Sequence, residues 1–188
     1  FRLQTINMNV TNLSGEKLGP YELHQLIGVG GMAVVYEATQ PSLNRLVALK
    51  VLSLDFMDDA DDANRFDQEA RTSAKLEHTN IISLYTYGTE GNISYVAMQL
   101  LSGGTLADRM YQQQTRNHQP PSLYEVGQFL TAIASALDYA HHEKIIHRDI
   151  KPSNIMFDTE GRPYVVDFGI AQIIESANRN QNEGGATI

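Results

Sequence analysis

The run His147-Arg148-Asp149-Ile150-Lys151-Pro152-Ser153-Asn154 places an acid, a lysine and an amide close together, and Asp167-Phe168-Gly169 adds a second acid after a hairpin-like stretch. Such a set can hold a metal-bound polyphosphate and a hydroxyl nucleophile at once. Hard oxygen donors suit Mg²⁺, which is usually held by one or two protein groups plus phosphates. Phosphoryl transfer asks mostly for positioning and charge stabilisation, and this set supplies both. The remaining chain must then supply a nucleotide site.

Two earlier segments are candidates for it. Gly28-Val29-Gly30-Gly31-Met32-Ala33-Val34-Val35 lies between strand-like runs. Glycine lets backbone amides approach phosphate oxygens with no Cβ in the way, although a glycine cluster between strands also serves as a plain hairpin turn. It is not a dinucleotide fingerprint, because a strand follows it, and it lacks the Gly-Lys-Ser/Thr ending of a Walker A loop. In Val47-Ala48-Leu49-Lys50, strand alternation puts Ala48 and Lys50 on one face and Val47, Leu49 and Val51 on the other. An ammonium among apolar neighbours needs an anionic partner. A phosphate is one, and Glu69 on the following helix is another. The alternative is a strand lysine that reaches solvent beside a surface glutamate.

The elements that must position these groups fall into two parts. Residues 1 to about 19 are polar and aperiodic and read as an arm or linker. Tyr21–Ile27, Val34–Ala38 and Leu46–Leu52 read as three antiparallel strands, with Pro41-Ser42-Leu43-Asn44 as turn chemistry. Asp55-Phe56-Met57-Asp58-Asp59-Ala60-Asp61-Asp62 lacks the glycine and the terminal glutamate of a calcium loop. It reads as a solvated lead into a lightly packed helix over about Ala63–Leu76, whose N-terminal end favours negative charge. Two more strands are expected at about Ile81–Tyr87 and Ile93–Leu100. Ser102-Gly103-Gly104 then breaks the pattern. Ser122-x-x-Glu125 is a capping box, and Val126, Phe129, Leu130, Ile133, Leu137 and Ala140 recur at helical spacing as far as His141-His142.

Composition narrows the function classes. A length of 188 residues suits one domain, or one and part of another. With 42% hydrophobic residues the chain can bury a core, and a net charge of −8 argues against a nucleic-acid partner. No cysteine is present, which excludes disulfides, thiolate zinc sites and a cysteine nucleophile. No apolar run approaches the roughly 20 residues that span a bilayer. Phe1-Arg2-Leu3-Gln4-Thr5 carries no signal pattern, and the missing initiator Met fits a start inside a longer chain. His24, His78, His118, His141 and His142 lack metal-ligand spacing, and His147 is expected to pack under the catalytic loop.

Taken in order, the glycine loop, Val47-Ala48-Leu49-Lys50, Glu69, His147-Arg148-Asp149 with Asn154, and Asp167-Phe168-Gly169 resemble the protein kinase catalytic domain, over about residues 20 to 188. Gly-Val-Gly-Gly-Met-Ala, Asp-Ile-Lys-Pro-Ser-Asn and Asp-Phe-Gly-Ile-Ala look most like the bacterial eukaryotic-like (Hanks-type) serine/threonine kinases. The resemblance implies an α+β, two-lobe fold: an antiparallel-sheet N-lobe with one regulatory helix (about 20–98), a hinge (about 99–102) and an incomplete helical C-lobe (103–188). It also implies that the chain stops in the activation segment, short of the substrate-binding loop and the later helices.

The resemblance further implies roles. Amides of Gly28 to Ala33 cover the phosphates of ATP, with Ala33 standing where a third glycine is usual. Lys50 holds the α- and β-phosphates and pairs with Glu69. Asp167 and Asn154 hold Mg²⁺, Asp149 orients the acceptor hydroxyl and takes its proton, and Lys151 offsets charge on the γ-phosphate. Ile27, Val35, Ala48 and Met156 bound the adenine slot, Val29 and Met32 belong to the ATP-binding glycine loop, Met98 guards the inner end of the slot, and Gln99 to Leu101 form the hinge, with Gln99 where glutamate is common. Lys151 points to serine or threonine acceptors. Arg148 implies control by phosphorylation, with Ser176 and Thr187 as candidate sites. The expected partners are ATP, a protein substrate and a second copy during autophosphorylation. The expected location is cytoplasmic, on an intact protein that is membrane-anchored in many relatives. A nucleotide-binding module without catalysis and a small-molecule phosphotransferase are the competing readings.

Overall fold

The computed structural model describes residues 13–30, 33–52, 74–91, 93–116 and 120–168. They fall into two compact units, Phe1–Asn64 with Thr86–Met98, and Arg65–Tyr85 with Gln99–Ile188.

The first unit is built on a six-stranded sheet. Its strands are β1 (Lys17–Leu18), β2 (Tyr21–Val29), β3 (Ala33–Gln40), β4 (Arg45–Leu52), β5 (Leu84–Glu90) and β6 (Ile93–Met98), in the order β1-β2-β3-β4-β6-β5. The β2-β3-β4 meander is the one expected from sequence. Pro41–Leu43 form a 3-10 turn closed by Asn44 in the left-handed region (φ 46°), a conformation that asparagine tolerates. One face of the sheet is the core: Val34, Tyr36 and Ala38 of β3, Val47, Leu49 and Val51 of β4, and Tyr95 and Ala97 of β6 are all buried. Full burial of a side chain such as Leu49 is worth about 1.5–3 kcal/mol. The Gly19 N–H donates to the Glu90 carboxylate, so the first and last strands of that order approach one another and the sheet curls.

Two expectations shift. The polar arm ends in a real strand, because Lys17 and Leu18 pair with Glu22 and Tyr21. The strand expected from Ile81 starts at Leu84 instead, because Ile81 and Ile82 pair with a strand of the second unit. Most of the helix expected over Ala63–Leu76, including Glu69, lies outside the described residues. Leu76 itself is buried in the second unit's core rather than helical.

In the second unit, α1 (Leu106–Arg116) and α2 (Leu123–His142) precede a 3-10 turn (Pro152–Asn154) and a two-strand hairpin of β7 (Ile155–Phe157) and β8 (Pro163–Val165). Thr105 and Asp108 bond reciprocally at the start of α1, and the predicted capping box of Ser122 and Glu125 opens α2. Ile133, Ala136 and Ala140 of α2 pack with Leu76, Ile81, Ile155, Val165 and Phe168. Leu130, part of the predicted apolar stripe, is exposed, so the buried side chains of α2 lie in its C-terminal half. Gly103 lies where a Cβ would run into the carbonyls of Phe157 and Asp158, and its N–H bonds Phe157 O at 2.8 Å. The glycine break thus lets the chain pair closely with β7.

The end of α2 yields a stability prediction. Ile145 N bonds Ala140 O and Lys144 N bonds His141 O, a Schellman closure that puts Lys144 in the left-handed region at φ 65°. Lys144→Gly relieves that strain, so it stabilises the protein by about 1 kcal/mol, seen as a melting temperature raised by roughly 2–4 °C.

Candidate active site

Each unit carries one group of the candidate residues. In the first, the register places Val35, Lys50 and Val96 in one row across β3, β4 and β6, and Glu37, Ala48 and Met98 in the next. Directly opposed residues share a face, so Lys50, Ala48, Val35 and Met98 line the face opposite the core, as the alternation predicts. Lys50 is half-buried there, while Ala48 and Met98 are buried. The glycine segment is a tight β2–β3 connection: Gly28 pairs with Val35, and Gly30 N bonds Ala33 O at 2.8 Å. Ile27 falls at an irregularity between two registers, and Ile27 and Val29 are exposed, leaving apolar side chains free of the core. Gly31 and Met32 lie outside the described residues.

In the second unit the groups converge through hydrogen bonds. The 3-10 turn folds Asn154 back so that its Nδ2 donates to Asp149 O at 2.8 Å and to Asp149 Oδ2 at 3.0 Å. Lys151 Nζ sits 2.6 Å from the same Oδ2. With Nδ2 committed to Asp149, Oδ1 is the acceptor atom of the Asn154 amide. The Lys151 ammonium bonded to it holds the Asp149 carboxyl below the usual range, partial burial opposes this, and the Asn154 amide adds to the lowering.

His147 organises the loop from beneath. It is 2% exposed, its Nε2–H donates to Val166 O at 2.8 Å, and its Nδ1 accepts from Asp149 N at 3.2 Å. That pair of bonds specifies the neutral Nε2–H tautomer. Phe168 packs on the ring at 4.7 Å between centroids. The sequence placed His147 in the core but did not reveal that it ties the loop to β8, since that needs the tertiary pairing. Val166 N in turn bonds Asn154 O at 3.0 Å, so Asp167, the next residue, leaves β8 beside the Asn154 backbone. Arg148 and Asp167 both adopt positive φ, 61° and 60°. Non-glycine residues persist there only where their surroundings over-determine them, and such positions cluster at functional sites.

Met156 lies on β7, bridged to Thr105, and Leu101 is buried. The Gln99 N–H bonds Ser83 O at 2.9 Å. Glu69, Gly169, Ser176 and Thr187 lie outside the described residues. Among the described residues no group of three or more His, Cys, Asp or Glu could hold a metal ion.

The family described as "Protein kinase domain" matches residues 21–187. The chain belongs to that family. It is 40% identical over 165 residues to "Serine/threonine-protein kinase PrkC" of Bacillus subtilis, covering 87% of this chain and 25% of that protein. It is likewise 40% identical over 157 residues to "Serine/threonine-protein kinase PknE" of Mycobacterium bovis, covering 84% of this chain and 27% of that one. The chain thus spans about a quarter of the length of these relatives. Among solved structures, the PknI kinase domain of Mycobacterium tuberculosis matches with a TM-score of 0.70 at 31% identity, covering 84% of this chain and 62% of that one. The expected kinase-like fold, with an antiparallel sheet in its first part and an incomplete helical second part, is therefore correct. No helix of this kinase domain, among the described residues, is long and apolar enough to cross a membrane.

Proposed function

We propose that this kinase domain transfers the γ-phosphate of ATP to serine or threonine hydroxyls of a protein. The Asp149–Lys151–Asn154 cluster carries the reading. Asp149 is oriented by the Asn154 amide and kept ionised by Lys151, so its carboxylate is ready to accept a hydroxyl proton. Lys151 meets the acidic γ-phosphate as that proton leaves. Asp167 and Asn154 would hold Mg²⁺, which would supply charge neutralisation at the phosphates. The family resemblance assigns Lys50 to the α- and β-phosphates with Glu69 as its partner, Gly28 to Ala33 to covering them, and Ile27, Val35, Ala48, Met98, Leu101 and Met156 to adenine contact. Arg148 is the receptor for a phosphate added to Ser176 or Thr187. The intact protein works in the cytoplasm, on protein substrates that include a second copy of itself. In this reading residues 20–98, 99–102 and 103–188 are N-lobe, hinge and C-lobe, after an arm at 1–19.

The acceptor class is tested by incubating the full-length protein with γ-labelled ATP and Mg²⁺ and hydrolysing the labelled product. Phosphoserine and phosphothreonine are expected. Label confined to sugars or other small molecules would refute the protein-kinase reading.

A pH prediction follows from the lowered Asp149 pKa. A depressed pKa keeps the base ionised as pH falls through the ordinary carboxylate range, so the acid limb of kcat/KM contributed by Asp149 lies below that range. Lys151→Ala removes the main cause of the depression, and the limb moves up. Profiles for the two proteins that superimpose would show that Lys151 does not tune this base.

A further inference from the structure

We propose that Asn80 is a positioning residue for the reaction: it fixes the strand that delivers Asp167 and, through that strand, the loop that carries Asn154 and Asp149. The inference rests on the phosphoryl-transfer reading of those groups. Asn80 holds β8 at two points. Its side-chain Nδ2 donates to Pro163 O at 2.9 Å, and its backbone carbonyl accepts from Val165 N at 2.8 Å. Ile82 N then bonds Val165 O at 3.1 Å, and Ile81 bridges Val165 in parallel. Residues 80–82 thus run as a third strand beside β8, whose other edge pairs with β7. Proline has no N–H, so the carbonyl is the only backbone handle at Pro163, and the Asn80 amide uses it.

What β8 delivers is the candidate metal site. Its next residue, Val166, bonds Asn154 through its N–H and His147 through its carbonyl, and Asp167 follows at φ 60°. A displacement of β8 therefore moves both candidate metal ligands, and His147 passes it on to Asp149. Asn80 is itself held in place. Its N–H bonds His78 Nδ1 at 3.1 Å, the other ring nitrogen of His78 lies 3.1 Å from Ser135 Oγ on α2, and the ring stacks on Tyr139. Asn80 carries no charge and is no ligand in this reading, so its effect on the reaction is geometric. The plainer alternative is an asparagine that only stabilises a turn. The two roles differ in what they do to metal affinity.

The test uses full-length protein and Asn80→Asp, which keeps the side-chain shape but lacks the donor to Pro163. Asn80→Ala also lacks it and serves if the first variant does not fold. Mn²⁺ binding to the protein–ADP complex, read by electron paramagnetic resonance, should weaken about 10–100-fold, the usual cost of losing a group that orients a metal ligand. The Mg²⁺ concentration for half-maximal phosphoryl transfer should rise in parallel, with metal-free ADP affinity within about twofold of wild type. Leu18→Ala, in the sheet core of the first unit, lowers the melting temperature without moving Mn²⁺ affinity. Wild-type Mn²⁺ affinity in the Asn80 variants, or a loss matched by Leu18→Ala at equal melting temperature, overturns the inference. A wild type that transfers no phosphate overturns the phosphoryl-transfer reading instead, and the Mn²⁺ measurement still decides whether Asn80 positions the site.

Discussion

Asp149→Asn should lower the turnover of phosphoryl transfer by about 10²–10⁴-fold, the usual worth of a positioned general base. The substitution is nearly isosteric, and the bond from Asn154 Nδ2 to the backbone carbonyl of residue 149 survives it. The loop therefore keeps its shape, and so does nucleotide binding. What disappears is the charge that Lys151 and Asn154 hold in place. Steady-state kinetics should accordingly show kcat falling while the KM for ATP stays within a few-fold, the pattern of a group that acts in the transition state. A fall confined to KM would give Asp149 a binding role instead.

Asp167→Asn should be the second large loss, about 10²–10³-fold in rate, since charge stabilisation by a bound cation is worth several kcal/mol. The left-handed backbone at this position makes the choice of variant informative. Asparagine and aspartate tolerate that conformation better than other non-glycine residues, so Asp167→Asn removes charge with little change in backbone. Asp167→Ala adds a conformational cost of about 1–2 kcal/mol and should melt lower as well. Initial rates across a Mg²⁺ titration separate the effects: the Asn variant should need far more Mg²⁺ while melting like the wild type. Equal Mg²⁺ requirements for wild type and the Asn variant would remove Asp167 from the metal site.

The strand that carries Lys50 could be read from sequence because its apolar residues alternate with period two, and the register confirms that Val47, Leu49 and Val51 face the core. The Ser122–Glu125 box was legible for a similar reason, being a local device that needs no distant partner. The β7–β8 hairpin was anticipated only as a connection between two motifs, and its role required tertiary information. Asn80, Pro163 and Val166 carry no periodic or chemical signature, and their importance arises from pairing between segments some eighty residues apart. The strand start misjudged by three residues has the same origin, since Ile81 is apolar for the sake of β8 rather than β6. The left-handed Arg148 was likewise invisible, because arginine carries no signal for that conformation.

The most direct measurement places wild type and Asp149→Asn side by side with γ-labelled ATP, Mg²⁺ and a protein acceptor, and follows label on the protein over time. Steady incorporation by the wild type, reduced about 10²–10⁴-fold in the variant, is the predicted result. Equal labelling by the two proteins, or none by the wild type, would contradict the assignment of phosphoryl transfer to this loop.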